Sequence, residues 1–260
     1  MITSAHNPKV QTVRKLQTQA KRRQEEQKFV LEGVRLAEEA MKAGWNCMQV
    51  FYTDQLDERG RNLVEKFSSQ GVPIEQVSEA VMKALSETET PQGLLVVMAQ
   101  KRLTLPPSPD FLLILDGVRD PGNLGTIIRT SAAAKVQAVL LAPGNVDAWS
   151  PKVLRAGMGA HFRTAIQKLD WEGIKQILKA AENKLTVYLA DASVGTPYTQ
   201  ADFRSPLAII LGGEAAGAGA QSEAFADTRV HIPMPGGSES LNAAVAASIL
   251  IFEVLRQRGQ

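Results

Sequence analysis

The chain has 260 residues, of which 44% are hydrophobic and 22% charged, with a formal net charge of +2. That length suits one large or two modest domains, and the composition excludes a disordered chain, a collagen or a coiled coil. The one cysteine, Cys47, excludes an intrachain disulfide, and His6, His161 and His231 are too scattered for a zinc site, so no metal is expected. The first residues lack the charged start and apolar run of a secretory signal. No apolar run reaches the roughly 20 residues that span a bilayer. A cytoplasmic location without membrane association is the expectation.

Through Arg35 the chain carries eight bases (Lys9, Arg14, Lys15, Lys21, Arg22, Arg23, Lys28, Arg35) against three acids (Glu25, Glu26, Glu32), a local +5 on a body of −3. A basic end of this kind suits a phosphate backbone. It suits a solvated helix face equally well, because no aromatic residue interleaves the bases before Phe29. Further on, short apolar runs at Phe29 to Leu31, Val50 to Tyr52 and Gly93 to Ala99 alternate with helical patterns at Val34 to Met41 and Leu63 to Phe67. The stretch Leu105-Pro106-Pro107-Ser108-Pro109-Asp110 fixes φ, removes amide donors and forbids helix or central strand. The expected division is a first domain over 1–100, a linker over 101–110 and a second domain over 111–260. Apolar runs at Phe111 to Leu115, Ala138 to Ala142, Leu185 to Ala190 and Leu207 to Leu211 continue the alternation. Continuous apolar strands separated by helices predict α/β halves with mainly parallel sheets.

In open α/β sheets ligands bind beyond the carboxyl ends of the strands, and three glycine-marked segments follow strands here. In the first, Asp116-Gly117-Val118-Arg119-Asp120-Pro121-Gly122 leads to Asn123, a helix cap, with Arg129 nearly two turns on. Gly117, Gly122 and Gly125 match neither the G-x-G-x-x-G nor the P-loop spacing. A crossover turn with a surface arginine explains them as well as a phosphate cradle does. In the second, Gly212 and Gly213 precede Glu214 and Gly217. The paired glycines admit a ligand to the backbone, and the glutamate equally suits a helix N-terminus. The third runs from Val230 through Ile232-Pro233-Met234-Pro235 to Ser240-Leu241-Asn242 and a helix over Leu241 to Leu255. That helix is apolar nearly all round, with Val245, Ile249 and Phe252 on one face and Ala244, Ala247 and Ile251 on another. It requires burial on two sides, one of them most simply a second subunit.

Taken in this order, Asn123-Leu124-Gly125-Thr126-Ile127-Ile128-Arg129-Thr130, Leu211-Gly212-Gly213-Glu214-Ala215-Ala216-Gly217, and Ile232-Pro233-Met234 through Ser240-Leu241-Asn242 form a recognisable set. They resemble the three motifs of the SpoU (TrmH-like) branch of the SPOUT RNA 2′-O-ribose methyltransferases, from about Phe111 to the C-terminus. Ile2-Thr3-Ser4 to Asn7, Phe29-Val30-Leu31-Glu32-Gly33 and Pro91-Gln92-Gly93 resemble, more weakly, the ribosomal-protein-like α/β substrate-binding domain that often precedes it. The resemblance implies a parallel-sheet domain with a C-terminal trefoil knot, a homodimer through that domain, and S-adenosylmethionine bound in a bent shape. It carries Leu211, Gly213, Ile232, Met234, Ser240 and Leu241 as cofactor contacts, with Gly212 and Gly217 giving close approach. Motif two commonly reads Leu-Gly-Asn-Glu-Gly, so Gly213 and Ala215 are departures, and any contact of the missing asparagine is lost. No role follows for Ser238 or Glu239.

Methylation of a ribose 2′-hydroxyl is an in-line displacement at an already activated sulfonium carbon. It demands alignment rather than a metal. The resemblance implies Arg129 beside the target nucleotide, framed by Asn123, Glu214, Ser240 and Asn242. A guanidinium is a poor base, with a pKa above about 12. Arg129 therefore either clamps the target phosphate and lowers the hydroxyl pKa electrostatically, or is itself transiently deprotonated. Glu214 would orient Arg129 or a neighbouring amide, and Asn242 would bond the substrate or the loop carrying Glu214. Arg14, Lys15, Arg22 and Arg23 are the candidate phosphate contacts. The expected activity is S-adenosylmethionine-dependent methylation of ribosomal RNA, 23S-type, ahead of tRNA. A catalytically silent RNA-binding relative and a dehydrogenase on tandem α/β domains are the competing readings. The joint presence of Asn123, Arg129, Glu214, Ser240 and Asn242 argues against the first, and the missing dinucleotide fingerprint against the second.

Overall fold

A computed structural model describes residues 1–213 and 217–259. The first part of the chain forms α1 (Pro8–Thr18), α2 (Ala20–Glu26), β1 (Lys28–Glu32), α3 (Val34–Lys42), β2 (Cys47–Tyr52), α4 (Glu58–Ser69), β3 (Ile74–Gln76), α5 (Glu79–Leu85) and β4 (Leu94–Ala99). Then follow β5 (Phe111–Asp116), α6 (Pro121–Ala133), β6 (Ala138–Leu141), α7 (Pro151–Gly157), β7 (Ala165–Lys168), α8 (Trp171–Ala180) and β8 (Thr186–Asp191). The chain closes with β9 (Thr196–Pro197), β10 (Leu207–Gly212), α9 (Ala220–Phe225), β11 (Thr228–His231) and α10 (Ala243–Gln257). Among the described residues no helix is long and apolar enough to cross a membrane.

Two units divide the chain: Met1–Lys101 with Trp149–Phe162, and Arg102–Ala148 with Arg163–Gln260. Residues 101–110 carry no helix or strand, as the prolines require. The units also change at 148/149 and 162/163, which a single cut does not anticipate.

In the first unit the strand order is β1-β4-β2-β3, and β4 runs antiparallel to both β1 and β2 while β2 and β3 are parallel. Mainly parallel pairing was expected here. A strand buried on both faces, like Leu94 to Met98, reads as a continuous apolar run whichever way its neighbours point, so direction was not encoded in that signal. Asn7 and Ser78 cap α1 and α5. Their apolar faces, Val10, Val13, Leu16, Val81, Met82 and Leu85, pack on Val30, Phe51, Leu95 and Val97. The returning segment 149–162 joins this unit through aromatic contacts. Trp149 lies 4.8 Å from Phe29 and 5.5 Å from Trp45, ring centre to ring centre, and Trp45 Nε1 donates to Phe162 O at 3.3 Å.

The second unit is a seven-stranded parallel sheet of order β7-β6-β5-β10-β8-β11-β9. Trp171 and Ile174 of α8 and Phe225 of α9 pack on one face, against Leu112, Ile114, Leu189 and Ile210. On the other face α6 and α10 lie side by side. Asn242 Nδ2 donates to Asn123 Oδ1 at 2.9 Å, and the Thr130 and Ser248 hydroxyls are 3.3 Å apart, so the two helices run parallel with adjacent N-termini. Asp120, not Asn123, caps α6: its Oδ1 accepts from Asn123 N at 2.8 Å, and Pro121 fixes the first helical φ. Asn242 caps α10 by accepting from Ala244 N and Val245 N at 2.9 and 3.3 Å. Along α10, Ala247, Leu250, Ile251 and Val254 are buried, whereas Val245 and Phe252 are 48% and 52% exposed.

Burial pushes the Cys47 thiol up to about 12, against an opposing effect of the Gln49 backbone. At pH 8 native protein is expected to react with iodoacetamide on the order of 10³ times more slowly than urea-unfolded protein, followed by intact mass. Equal rates would show the thiol to be accessible.

Candidate active site

Strands β5 and β10 pair from Leu207↔Phe111 through Gly212↔Asp116, so both end at the same level and release their loops side by side. The loops then meet backbone to backbone. A Cβ on Gly213 would lie 2.2 Å from Gly117 O, and one on Gly212 would lie 2.4 Å from Gly217 C. Glycine is required at both positions by this approach. It also accounts for the departure from the commoner motif: an asparagine side chain at 213 would begin inside the Gly117 carbonyl. Gly213 and Gly217 make an isolated antiparallel bridge. Asp116 Oδ2 accepts from Gly219 N at 2.9 Å and Ser222 Oγ at 2.5 Å, tying the end of β5 to the far limb of the same loop. Asn145 pins the turn after β5 from the other side. Its Oδ1 accepts from Val118 N at 2.8 Å, and its Nδ2 donates to Leu115 O and Ala142 O, both at 2.7 Å.

The loop after β10, with the ends of β8 and β11, the segment 232–241 and the start of α10, lines a cavity of about 210 Å³. Leu211, Gly212, Gly213, Gly217, Ile232, Met234, Ser240 and Leu241, expected as cofactor contacts, all line it. The sequence reading missed the rest of the wall, which includes Ala190 and Asp191 from the end of β8, Val230 of β11 and Leu250 of α10. A carboxylate at the end of an apolar strand was the available signal for Asp191. Its Oδ1 accepts from Ser193 N and Val194 N, each at 3.0 Å, and Arg229 Nη1 reaches Oδ2 at 3.4 Å. The Ser193 N–H foremost, then the Val194 N–H and the Arg229 guanidinium, hold this carboxyl below the usual carboxylate range against the opposing effect of burial. A fixed negative charge thus lies in a wall made otherwise of apolar residues, glycines and Ser240.

The structure brings Asn123 and Asn242 into direct contact, with Ser240 two residues away in the cavity wall. Arg129 lies on the exposed face of α6, six residues or about 9 Å of helix beyond Asn123. Glu214, the fifth expected member of the frame, lies outside the described residues. Among the described residues no cluster of three or more His, Cys, Asp and Glu could hold a metal ion.

In the first unit Arg14 and Lys15 are exposed on α1. Arg22 is engaged by Glu25 at 3.6 Å and Glu26 at 3.1 Å. Arg23 corrects the expectation of a phosphate contact. It is 4% exposed, and its Nη1 donates to Leu16 O at 2.6 Å and Gln17 O at 2.8 Å. Its charge satisfies carbonyls left open at the C-terminus of α1, so it serves the fold.

A parallel sheet with a ligand cavity built from strand-end loops, beside a polar frame at two helix N-termini, has the form of a SPOUT-class methyltransferase domain. The chain belongs to the SpoU rRNA Methylase family, whose sequence model matches residues 110–252. A second model, the MRM3-like substrate binding domain, matches residues 7–96. Over 97% of its length the chain is 36% identical to the 23S rRNA (guanosine(2553)-2′-O)-methyltransferase RlmP of Bacillus subtilis (strain 168), covering 98% of that protein. It is 35% identical to the mitochondrial rRNA methyltransferase 3 of Homo sapiens, with 90% of this chain and 69% of that one aligned. The crystal structure of an AdoMet-bound rRNA methyltransferase from Sinorhizobium meliloti superposes with a TM-score of 0.87 at 30% identity, over 98% of this chain and 97% of that one.

Gly213→Ala is expected to lower stability by about 1–3 kcal/mol, because its methyl meets a backbone carbonyl that cannot move away. Gly236→Ala, where an added Cβ meets nothing within 4 Å, is the control and should leave the thermal midpoint unchanged. Equal midpoints for the two variants would contradict the close approach.

Proposed function

We propose that the chain methylates the 2′-hydroxyl of a ribose in ribosomal RNA, 23S-type, with S-adenosylmethionine as donor. The observation that carries this reading is a convergence. Residues from two separate motifs line one cavity, and Ser240 in its wall adjoins the Asn123–Asn242 pair at the foot of the helix bearing Arg129. The names of the relatives and the match of the first unit to a substrate-binding domain support ribosomal RNA over tRNA.

The cavity suits the donor. Leu211, Ile232, Met234 and Leu241 offer apolar surface for a purine, and Gly212, Gly213 and Gly217 expose backbone to it. The ionised Asp191 complements a cationic ligand. A volume near 210 Å³ is small for a dinucleotide, which disfavours the dehydrogenase reading. When bound, S-adenosylmethionine supplies an activated methyl carbon on a sulfonium. The chain's own residues do the rest. The exposed Arg129 clamps the phosphate beside the target nucleotide, and its permanent charge favours ionisation of the ribose hydroxyl. An electrostatic clamp fits the exposed position of this guanidinium. The Asn123–Asn242 pair fixes the place of the ribose, and Glu214 orients Arg129 or a neighbouring amide. The hydroxyl proton passes to water at the open mouth.

The same reading includes a trefoil knot, supported by the return of the chain from β11 to α10 alongside α6. It includes a homodimer through α10, supported by the apolar stripe of Leu241, Val245 and Phe252, 36%, 48% and 52% exposed. A cytoplasmic location is supported by the ribosomal substrate of the bacterial relative.

Incubation with radiolabelled S-adenosylmethionine and total RNA from a strain lacking the protein, then alkaline hydrolysis, should give a labelled, alkali-resistant dinucleotide from the large ribosomal RNA. Label in a mononucleotide would place the methyl on a base and refute the reading. Arg129→Ala should lower single-turnover methylation by about 10²-fold or more while S-adenosylmethionine affinity holds. Near-normal transfer would remove Arg129 from the mechanism. The Val245→Asp, Phe252→Asp double variant should elute as a monomer in light-scattering chromatography where the unaltered chain elutes as a dimer. An unchanged mass would exclude this face as the interface.

A further inference from the structure

Arginines in the C-terminal part of the second unit are held by carboxylates. Arg204 meets Asp202 at 2.8 Å, Arg229 meets Asp191 at 3.4 Å and Glu223 at 3.3 Å, Arg256 meets Glu253 at 2.7 Å, and Arg258 meets Asp110 at 3.6 Å. Arg119 and Arg129 are different. Both are exposed, and neither side chain has an ion-pair or hydrogen-bond partner among the described residues.

The backbone under Arg119 is immobilised on both sides. Val118 is fully buried, its N–H donates to Asn145 Oδ1 at 2.8 Å, and its carbonyl accepts from Val146 N at 2.9 Å. On the other side Asp120 caps α6, spending its Oδ1 on Asn123 N, and Pro121 fixes the following φ. A long cation with no carboxylate of its own thus stands on a rigid root at the entrance to α6. Asn123 lies between it and Arg129 along the chain, and about 12 Å of helix separates Pro121 from Arg129. A free guanidinium on a fixed root is suited to the paired oxygens of a phosphodiester, which it engages bidentately.

We propose that Arg119 is a second phosphate contact for the target RNA strand, on the opposite side of the reactive ribose from Arg129. The inference rests on the RNA methyltransferase reading and extends it to a residue outside the three motifs' polar frame. Two cations bracketing one ribose hold the strand at two points, and the second contact adds affinity for the strand without taking part in the transfer.

Equilibrium binding of total ribosomal RNA, lacking the modification, to the full-length protein saturated with S-adenosylhomocysteine tests this directly. The experiment compares the unaltered chain with Arg119→Ala, Arg119→Glu, Arg119→Lys and the control Arg204→Ala. Arg119→Ala should weaken RNA binding roughly five- to thirtyfold and lower the slope of log affinity against log salt by about one. Arg119→Glu should weaken it further, Arg119→Lys should restore part of it, and Arg204→Ala should match the unaltered chain. S-adenosylhomocysteine affinity and the kcat at saturating RNA should hold in the Arg119 variants while KM for RNA rises. Unchanged RNA affinity and slope in both Arg119→Ala and Arg119→Glu would overturn the proposal. So would parallel loss of RNA and S-adenosylhomocysteine binding, which would mark a residue that only shapes the loop. If the unaltered chain methylates no RNA yet binds it in an Arg119-dependent way, the methyl transfer reading fails and the Arg119 contact stands.

Discussion

The backbone contact between the ends of two neighbouring parallel strands governs the rest of the second unit. Because β5 and β10 pair in register to Gly212↔Asp116, their loops emerge together, and Gly213 approaches Gly117 with no room for a side chain. Asp116 and Asn145 clamp this junction from either side through five hydrogen bonds, two at the Asp116 carboxylate and three at the Asn145 amide. Polar groups paired in this way hold a loop in one geometry, and the Ser222 hydroxyl, which is buried, would be costly to leave unpaired. The cavity is therefore a consequence of sheet register and glycine placement more than of the side chains that line it.

A second constraint sits beside the first. Parallel α6 and α10, linked at Asn123–Asn242 and Thr130–Ser248, place both N-termini at the same edge of the sheet. Amide groups there favour negative charge, as phosphate requires. Under the proposed function, the cavity wall, with its glycines and apolar side chains, would hold the small molecule, and the polar frame, with Asn123, Asn242 and Arg129, would receive the charged polymer. The third turn of the site, from Ile232 to Asn242, joins the two, because it lines the cavity and then caps α10.

Much of this was legible from residues alone, for physical reasons. Ligand sites of parallel sheets lie at strand carboxyl ends, and the apolar runs at 111–115 and 207–211 ended in glycines that only close packing explains. Resemblance then supplied which residues meet, and all eight expected cofactor contacts lie around one cavity. Other features were not legible. Asn145 acts through the backbone of Val118 and Leu115, 27 and 30 residues earlier, and Asp191 pairs with the Arg229 side chain 38 residues on, partners that no local pattern announces. The antiparallel course of β4 is invisible in a run of buried apolar residues. The segment 149–162 joins the first unit through Trp149 and Phe162, whose partners Phe29 and Trp45 lie more than a hundred residues earlier. Arg23 carries the same charge as Arg14, and only burial reveals that its guanidinium is consumed by carbonyls of α1.

The central claim is that loops following β8, β10 and β11, braced by the loop after β5, form one site for a folded adenosyl donor facing the Asn123–Asn242 pair. A crystal structure of the chain with S-adenosylmethionine measures it most directly. A donor folded against Gly212 and Gly213, its purine between Leu211 and Leu241 and its methyl directed toward Asn123, is the expected result. A donor extended along the strand ends, or seated away from these loops, would contradict it.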